Sequence, residues 1–221
     1  MYCRCFYRPE MAFDTINHDI LLEKLNHYRV RGLPLQWIRS YLQNRSQYVA
    51  YNNSESSHLP ISCGVPQGSI LGPLFFILYI NDLCYASSVL KFFLFADDTN
   101  IFFSDKDINR AEEVLNDNIK LLCKWFHINK LSLNLSKTKY IVFQGNVKSK
   151  EISINLNVEN NVIERVTHTN FLGVIIDEKL SWQNHISTLE KKIAKNIGIM
   201  YRVICIYYTA PLYCHICCIV A

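Results

Sequence analysis

Glycine and proline are scarce, at seven and six residues in a chain of 221. That excludes a collagen-like fibre and a turn-dense, low-complexity chain. Charge is also modest: 19% of residues are Asp, Glu, Lys or Arg, while half are hydrophobic, which excludes a disordered polar tail. There is no large excess of either sign. The net charge of +4 permits a polyanionic partner without requiring one. Residues 1–9 lack the apolar segment of a secretory leader, so the expected setting is intracellular, with reduced thiols. No internal repeat or linker is visible. What remains is a globular chain long enough to bury a sizeable core.

Nine cysteines stand out, and six crowd the ends: Cys3, Cys5, Cys205, Cys214, Cys217 and Cys218. Cys214-His215-Ile216-Cys217-Cys218 has close metal-ligand spacing, but the second half of a four-ligand set is not evident, and buried or adventitious thiols are the plainer meaning. Cys63, Cys84 and Cys123 sit in apolar surroundings and read as core. Residues 203–221 carry no Asp, Glu, Lys or Arg and approach the length of a membrane span. Tyr207, Tyr208, Thr209, Pro211 and His215 interrupt the run, which favours a buried helical pair over a span, and no membrane is expected.

Periodicity predicts mixed elements. Leu21, Leu22, Leu25 and Tyr28 recur at helical spacing behind the capping candidate Asn17, and Gly32-Leu33-Pro34 ends that helix. A short helix over 34–43 follows, then a strand over 47–51 that a polar turn returns towards 59–62. Residues 70–83 form an apolar helix. Residues 89–95 and 99–103 form a hairpin around Ala96-Asp97-Asp98, and 108–126 is the clearest amphipathic helix. Strands are expected at 140–143, 152–156 and 171–175, and a basic helix at 189–201 carrying Lys191, Lys192 and Lys195, with Arg202 just beyond it. Without equal parallel units, the class is α+β.

Two local features suggest chemistry. Adjacent Asp97 and Asp98 lie between strongly apolar runs. Aspartates suit a turn, but two carboxylates held half-buried repel one another unless a cation neutralises them, and magnesium favours such oxygen donors. Gly64-Val65-Pro66-Gln67-Gly68 allows close backbone approach to a ligand, or serves simply as a helix-entry turn ahead of Ile70.

In chain order, Ala12-Phe13-Asp14, Gly64-Val65-Pro66-Gln67-Gly68-Ser69-Ile70-Leu71-Gly72-Pro73 and Phe95-Ala96-Asp97-Asp98 resemble motifs A, B and C of reverse transcriptases. Asn129-Lys130-Leu131-Ser132-Leu133-Asn134-Leu135-Ser136-Lys137-Thr138-Lys139 resembles motif D. Phe171-Leu172-Gly173, followed by Asp177-Glu178-Lys179-Leu180-Ser181-Trp182, resembles the motif E region of non-LTR retrotransposon enzymes. Group II intron maturases share motifs A to C, but this last signature favours the retrotransposon lineage.

The resemblance implies a polymerase palm, an antiparallel sheet backed by helices, over residues 12–180. A divergent remnant is expected over 1–11 and a partial thumb over 181–221, with the fingers missing. It implies RNA-templated addition of deoxynucleotides to a DNA 3′-hydroxyl. The partners would be an RNA template, a DNA primer and deoxynucleoside triphosphates, and the cofactors two Mg2+ (or Mn2+) ions. Asp97 and Asp98 would be catalytic metal ligands. Phe13 would crowd a ribose 2′-hydroxyl, unless it is a core aromatic. Gln67, Gly68, Lys137 and Lys139 would lie near the nucleotide, although solvated strand-end lysines are common. Phe171, Leu172 and Gly173 would form the primer grip. Lysines of the last helix suit salt-sensitive phosphate contacts or a merely solvated face.

One position departs from the pattern. The family's motif A begins with a metal-binding aspartate, and the aligned residue here is Arg8, which offers no oxygen and adds a repelling charge. Asp14 and Glu10 lie out of register to replace it. The expected product is an inactive, degenerate fragment; a domesticated nucleic-acid-binding module and a decayed reading frame with no stable product are the alternatives.

Overall fold

The computed structural model describes residues 2–7, 13–66, 68–143, 154–158 and 161–209. Arg8, Glu10, Gln67 and the cluster Cys214-His215-Ile216-Cys217-Cys218 lie outside the described residues. The chain divides into two compact units, Met1–Thr167 and His168–Ala221.

The first unit is built on a five-stranded sheet in the order β11-β8-β1-β7-β6. Its strands are β1 (Tyr2–Tyr7), β6 (Lys91–Phe95), β7 (Asp98–Ser104), β8 (Lys139–Phe143) and β11 (Glu164–Arg165). The pairings are antiparallel except at the edge, where β11 runs parallel to β8. The central strand, β1, is one that sequence patterning leaves unassigned.

Helices cover the face that carries Cys3, Ile101, Tyr140 and Val142, all in one buried cluster. They are α1 (His18–His27), α2 (Leu33–Leu42), α3 (Leu71–Ile80), which passes into a 3₁₀ turn at Asn81–Tyr85, and α4 (Ile108–Ile128). The α1 start follows its sequence signal, since Asn17 Oδ1 accepts the Ile20 N–H at 3.1 Å. Along α4, Ala111, Leu115, Ile119, Leu122 and Phe126 bury one stripe. Three helical segments meet at Lys24. Its Nζ donates to Asp82 Oδ1 at 2.6 Å and to the Tyr79 carbonyl at 2.5 Å, and lies 4.8 Å from the ring centroids of Tyr79 and Trp125. Desolvation lowers the Lys24 pKa against the pull of Asp82, and burial pushes the Tyr79 hydroxyl up to about 12.

The region 46–60 is a broken hairpin: β2 (Ser46–Gln47) pairs with β5 (Leu59–Pro60), and β3 (Ala50–Tyr51) with β4 (Ser54–Glu55), around Asn52 and Asn53, both at positive φ. Residues 154–156 are not a strand, contrary to the 152–156 expectation. The pairing falls later, between β9 (Asn157–Val158) and β10 (Asn161–Val162), because Tyr140 and Asn116 take the Ile154 and Asn155 carbonyls. Cys63 and Cys84 are exposed, which corrects their reading as core, whereas Cys123 is half-buried and packs against the core.

The second unit holds a hairpin, β12 (His168–Phe171) and β13 (Val174–Asp177), and the long helix α5 (Gln183–Thr209). The expected single strand over 171–175 is instead broken by a turn: Phe171 ends one strand, Val174 begins the next, and Leu172 and Gly173 between them have φ of 47° and 84°, the paired left-handed residues of a two-residue hairpin loop. The α5 helix runs beyond the expected 189–201, absorbing 203–209 of the uncharged stretch. Among the described residues no helix is long and apolar enough to cross a membrane. The α+β class and the helix-backed, largely antiparallel sheet match the expected fold.

Candidate active site

Motifs A and B meet in the segment that follows β1, and motif C lies on the hairpin whose second strand pairs with β1. The β6–β7 hairpin closes with two residues, Ala96 and Asp97, because Phe95 pairs with Asp98. Ala96 takes the left-handed φ of 48° that a tight hairpin needs at its first loop position. Asp97 sits in the turn and Asp98 opens β7, both half-buried. Tyr7 pairs with Thr99, so the described part of β1 stops one residue short of the level of Asp98.

The segment after β1 is locked to the motif B loop. The Gly64 N–H donates to the Ile16 carbonyl at 2.7 Å and the Val65 N–H to the Phe13 carbonyl at 2.8 Å. His18 Nε2 donates to the Gly64 carbonyl at 2.7 Å, and Asn17 bridges Cys63. Gly64 is required twice over: φ is +84°, and a Cβ there would stand 2.8 Å from the Asp14 carbonyl oxygen. Beyond the loop, Ser69 Oγ donates to the Pro66 carbonyl at 2.7 Å and accepts the Gly72 N–H at 3.0 Å, which starts α3.

This junction floors an open cleft of about 650 Å³ lined by Asp14, Arg45, Gln47, Cys63, Gly64 and Pro66, among others. Phe13 lies beside it, half-buried, its ring 5.1 Å from that of the fully buried Phe76. Gly68, at φ +82°, has open space around its α-carbon. Asp97 and Asp98 are not among the cleft's lining residues.

Lys139 begins β8, opposite Phe6 of β1, which in turn faces Asn100 of β7. Lys139 therefore shares a sheet face with Asp98 from two strands away, roughly 10 Å in the pairing direction. Its Nζ is ion-paired at 3.0 Å with Glu164 on the edge strand, a partner that sequence spacing did not single out. Lys137 is exposed, in a turn capped by Asn134, whose Oδ1 accepts the Lys137 N–H at 3.1 Å. Phe171, Leu172 and Gly173 belong to the second unit, with Leu172 at the tip of its hairpin.

In that unit Asp177 explains its signature sequence. Its carboxylate accepts the N–H groups of Lys179, Ser181 and Trp182 and the Ser181 hydroxyl at 3.0–3.1 Å. Burial opposes ionisation there, but these donors prevail and hold the carboxyl below its ordinary value.

Among the described residues no three His, Cys, Asp or Glu side chains come together to hold a metal ion. Magnesium is commonly held by one or two carboxylates completed by water and phosphate. Asp97 and Asp98 are two carboxylates side by side in one hairpin.

Comparison with known proteins agrees with this geometry. Residues 10–176 match the family described as reverse transcriptase (RNA-dependent DNA polymerase). Curated relatives include the RNA-directed DNA polymerase from mobile element jockey of Drosophila melanogaster, 26% identical over 88% of this chain and 22% of that protein. Another is the probable RNA-directed DNA polymerase from transposon BS of the same fly, 28% identical over 86% of this chain and 22% of that protein. The chain thus spans about a fifth of the length of these relatives. Among solved structures, telomerase from Candida albicans in complex with a fragment of telomeric RNA superposes with a TM-score of 0.55 at 14% identity, covering 81% of this chain and 30% of that one. Apo telomerase from Candida tropicalis gives 0.54 over 82% and 32%. At this identity the likeness concerns the fold.

Proposed function

Because this chain belongs to the reverse transcriptase family, we propose that it is the palm of a non-LTR retrotransposon polymerase whose own polymerising activity has been lost. The family implies a divalent-metal requirement and nucleic-acid templates in general. In the intact enzyme the reaction joins the primer's 3′-oxygen to the α-phosphorus of a deoxynucleoside triphosphate opposite an RNA template, with pyrophosphate leaving. Asp97 and Asp98 would hold Mg2+ or Mn2+, which supplies charge neutralisation at the reacting phosphate. Phe13, Gln67 and Gly68 would border the nucleotide, Lys137 and Lys139 would lie near the triphosphate, and Phe171, Leu172 and Gly173 would hold the primer. Residues 12–180 would form the palm and 181–221 the start of a thumb.

The observation that carries the reading is the half-buried Asp97–Asp98 hairpin flanking the central strand, coupled with Arg8 at the place of the family's first carboxylate. An arginine there brings positive charge where the chemistry needs a metal-binding oxygen. Purified protein should give no primer extension on an RNA template with Mg2+ or Mn2+. Incorporation that Asp97→Asn abolishes would sink the claim of inactivity. Arg8→Asp should strengthen Mn2+ binding, measurable by paramagnetic resonance, and Asp98→Asn should weaken it. A second reading, a retained nucleic-acid-binding module without catalysis, is favoured by the exposed Lys191, Lys192 and Lys195 on α5. Salt-dependent binding without extension supports it.

A further inference from the structure

The stretch from Arg29 to Pro60 has four arginines, no lysine, and Glu55 as its one acid. It also carries two stacked ring pairs. On α2, Trp37 and Tyr41 lie one helical turn apart with centroids 5.8 Å apart and planes 16° from parallel. Arg45 continues the same line: its guanidinium carbon lies 4.7 Å from the Tyr41 ring centre, and its Nε donates to the Tyr41 carbonyl at 2.8 Å, which fixes that position. Across the neighbouring hairpin, Tyr48 and His58 stack at 4.4 Å and 29°. Core packing does not demand this display. Tyr41 leans on the core through Phe75, but Trp37 is 59% exposed and Tyr48 47%.

We propose that this face, centred on Trp37, Tyr41 and Arg45, is a stacking surface for single-stranded RNA. Flat rings left open accept unpaired bases whatever their identity. Arginine, unlike lysine, both stacks and grips phosphate with a planar fork, so an all-arginine cation set matches a ligand presenting bases and phosphates together. Arg45 and Gln47 also line the cleft floored by Gly64, so a strand lying on the rings runs on into that cleft. The choice of RNA rests on the polymerase-palm reading; the stacking geometry does not.

The test is fluorescence anisotropy on the intact chain with a labelled oligouridine of about 16 nucleotides, free or annealed to oligoadenylate. Single strands should bind more tightly than the duplex. Trp37→Ala should weaken single-strand binding about tenfold, Trp37→Phe should retain most of it, and Arg45→Lys should fall between. Replacing Lys191, Lys192 and Lys195 by Ala should weaken both forms alike and leave the preference intact. Thermal melting of each variant checks its fold. Unchanged affinity in folded Trp37→Ala overturns the proposal, as does a loss of self-association in that variant with RNA binding intact, which would make the face a contact between copies. Single-strand preference that survives in Asp97→Asn upholds the surface whatever primer extension shows. Normal RNA binding by folded Trp37→Ala would refute the surface and leave the polymerase-palm reading untouched, whereas primer extension by the parent bears on the loss of activity alone.

Discussion

The junction of motifs A and B and the motif C hairpin, both in the first unit, are built on opposite terms. At the junction, backbone groups of residues 13–18 and 63–65 are spent on one another, and Gly64 leaves no room for a side chain. At the hairpin, two adjacent carboxylates stand half-buried beyond a left-handed alanine. The first region is made for rigidity; the second holds features that packing alone does not call for. The sharpest test of that division is Gly64→Ala. A Cβ 2.8–3.0 Å from three Asp14 backbone atoms, at φ +84°, should cost about 3 kcal/mol. Gly68→Ala, at a similar φ but in open space, should cost about 1 kcal/mol. Urea unfolding distinguishes the two, and equal losses would mean that φ alone matters.

Asp177 extends the comparison to the second unit, where an acidic signature belongs to the rigid kind. Asp177→Ala strands three N–H groups and should cost about 2 kcal/mol, with faster hydrogen exchange at the amides of Lys179, Ser181 and Trp182. Its pKa is lowered on folding, so its contribution is complete above the ordinary carboxylate value near 4 and is lost as pH falls through the lower folded value. Acid destabilisation in that window should be smaller in Asp177→Ala than in the parent. A parallel acid response in both would assign the dependence elsewhere.

Legibility in the sequence follows the same line. Elements that bury one face against solvent on the other, such as α1 and α4, announce themselves by period, and the Asn17 cap by residue type. The β6–β7 hairpin was readable because its loop interrupts two apolar runs. The central strand β1 was not, since six residues near the start of the chain are too few to give a decisive period. The turn at Leu172-Gly173 was masked by a leucine at positive φ, a place where an asparagine would have marked the hairpin. Exposed Cys63 and Cys84 misled because apolar neighbours in sequence are not neighbours in space. At the site, residue types identified the carboxylates and the glycine loop, but Glu164 as the partner of Lys139 and Arg45 at the cleft wall required strand register and three-dimensional proximity.

Ala96→Gly probes the hairpin's own conformation. Alanine in the left-handed region costs about 1 kcal/mol, and glycine removes that while adding freedom to the unfolded chain worth about half as much. The expected outcome is a net gain near 0.5 kcal/mol, seen as a melting temperature higher by about 1–2 °C. A loss would show that the Ala96 methyl packs usefully.

Neutralising the carboxylates should move stability least of all. Asp97→Asn and Asp98→Asn each keep the side chain's size while removing its charge, so each should leave the metal-free protein unchanged within about 0.5 kcal/mol. The same substitutions should lower Mn2+ affinity, since a neutral amide oxygen replaces a charged donor. These outcomes separate the two kinds of region: Gly64 and Asp177 hold backbone in place, whereas the Asp97–Asp98 carboxylates are expected to matter chiefly for metal affinity. Calorimetric melting of parent and variants, with and without Mn2+, reads both effects at once. A metal-induced rise in melting temperature that persists in both single variants would place the ion elsewhere, and destabilisation of the metal-free protein by more than about 1 kcal/mol would make the pair a structural turn.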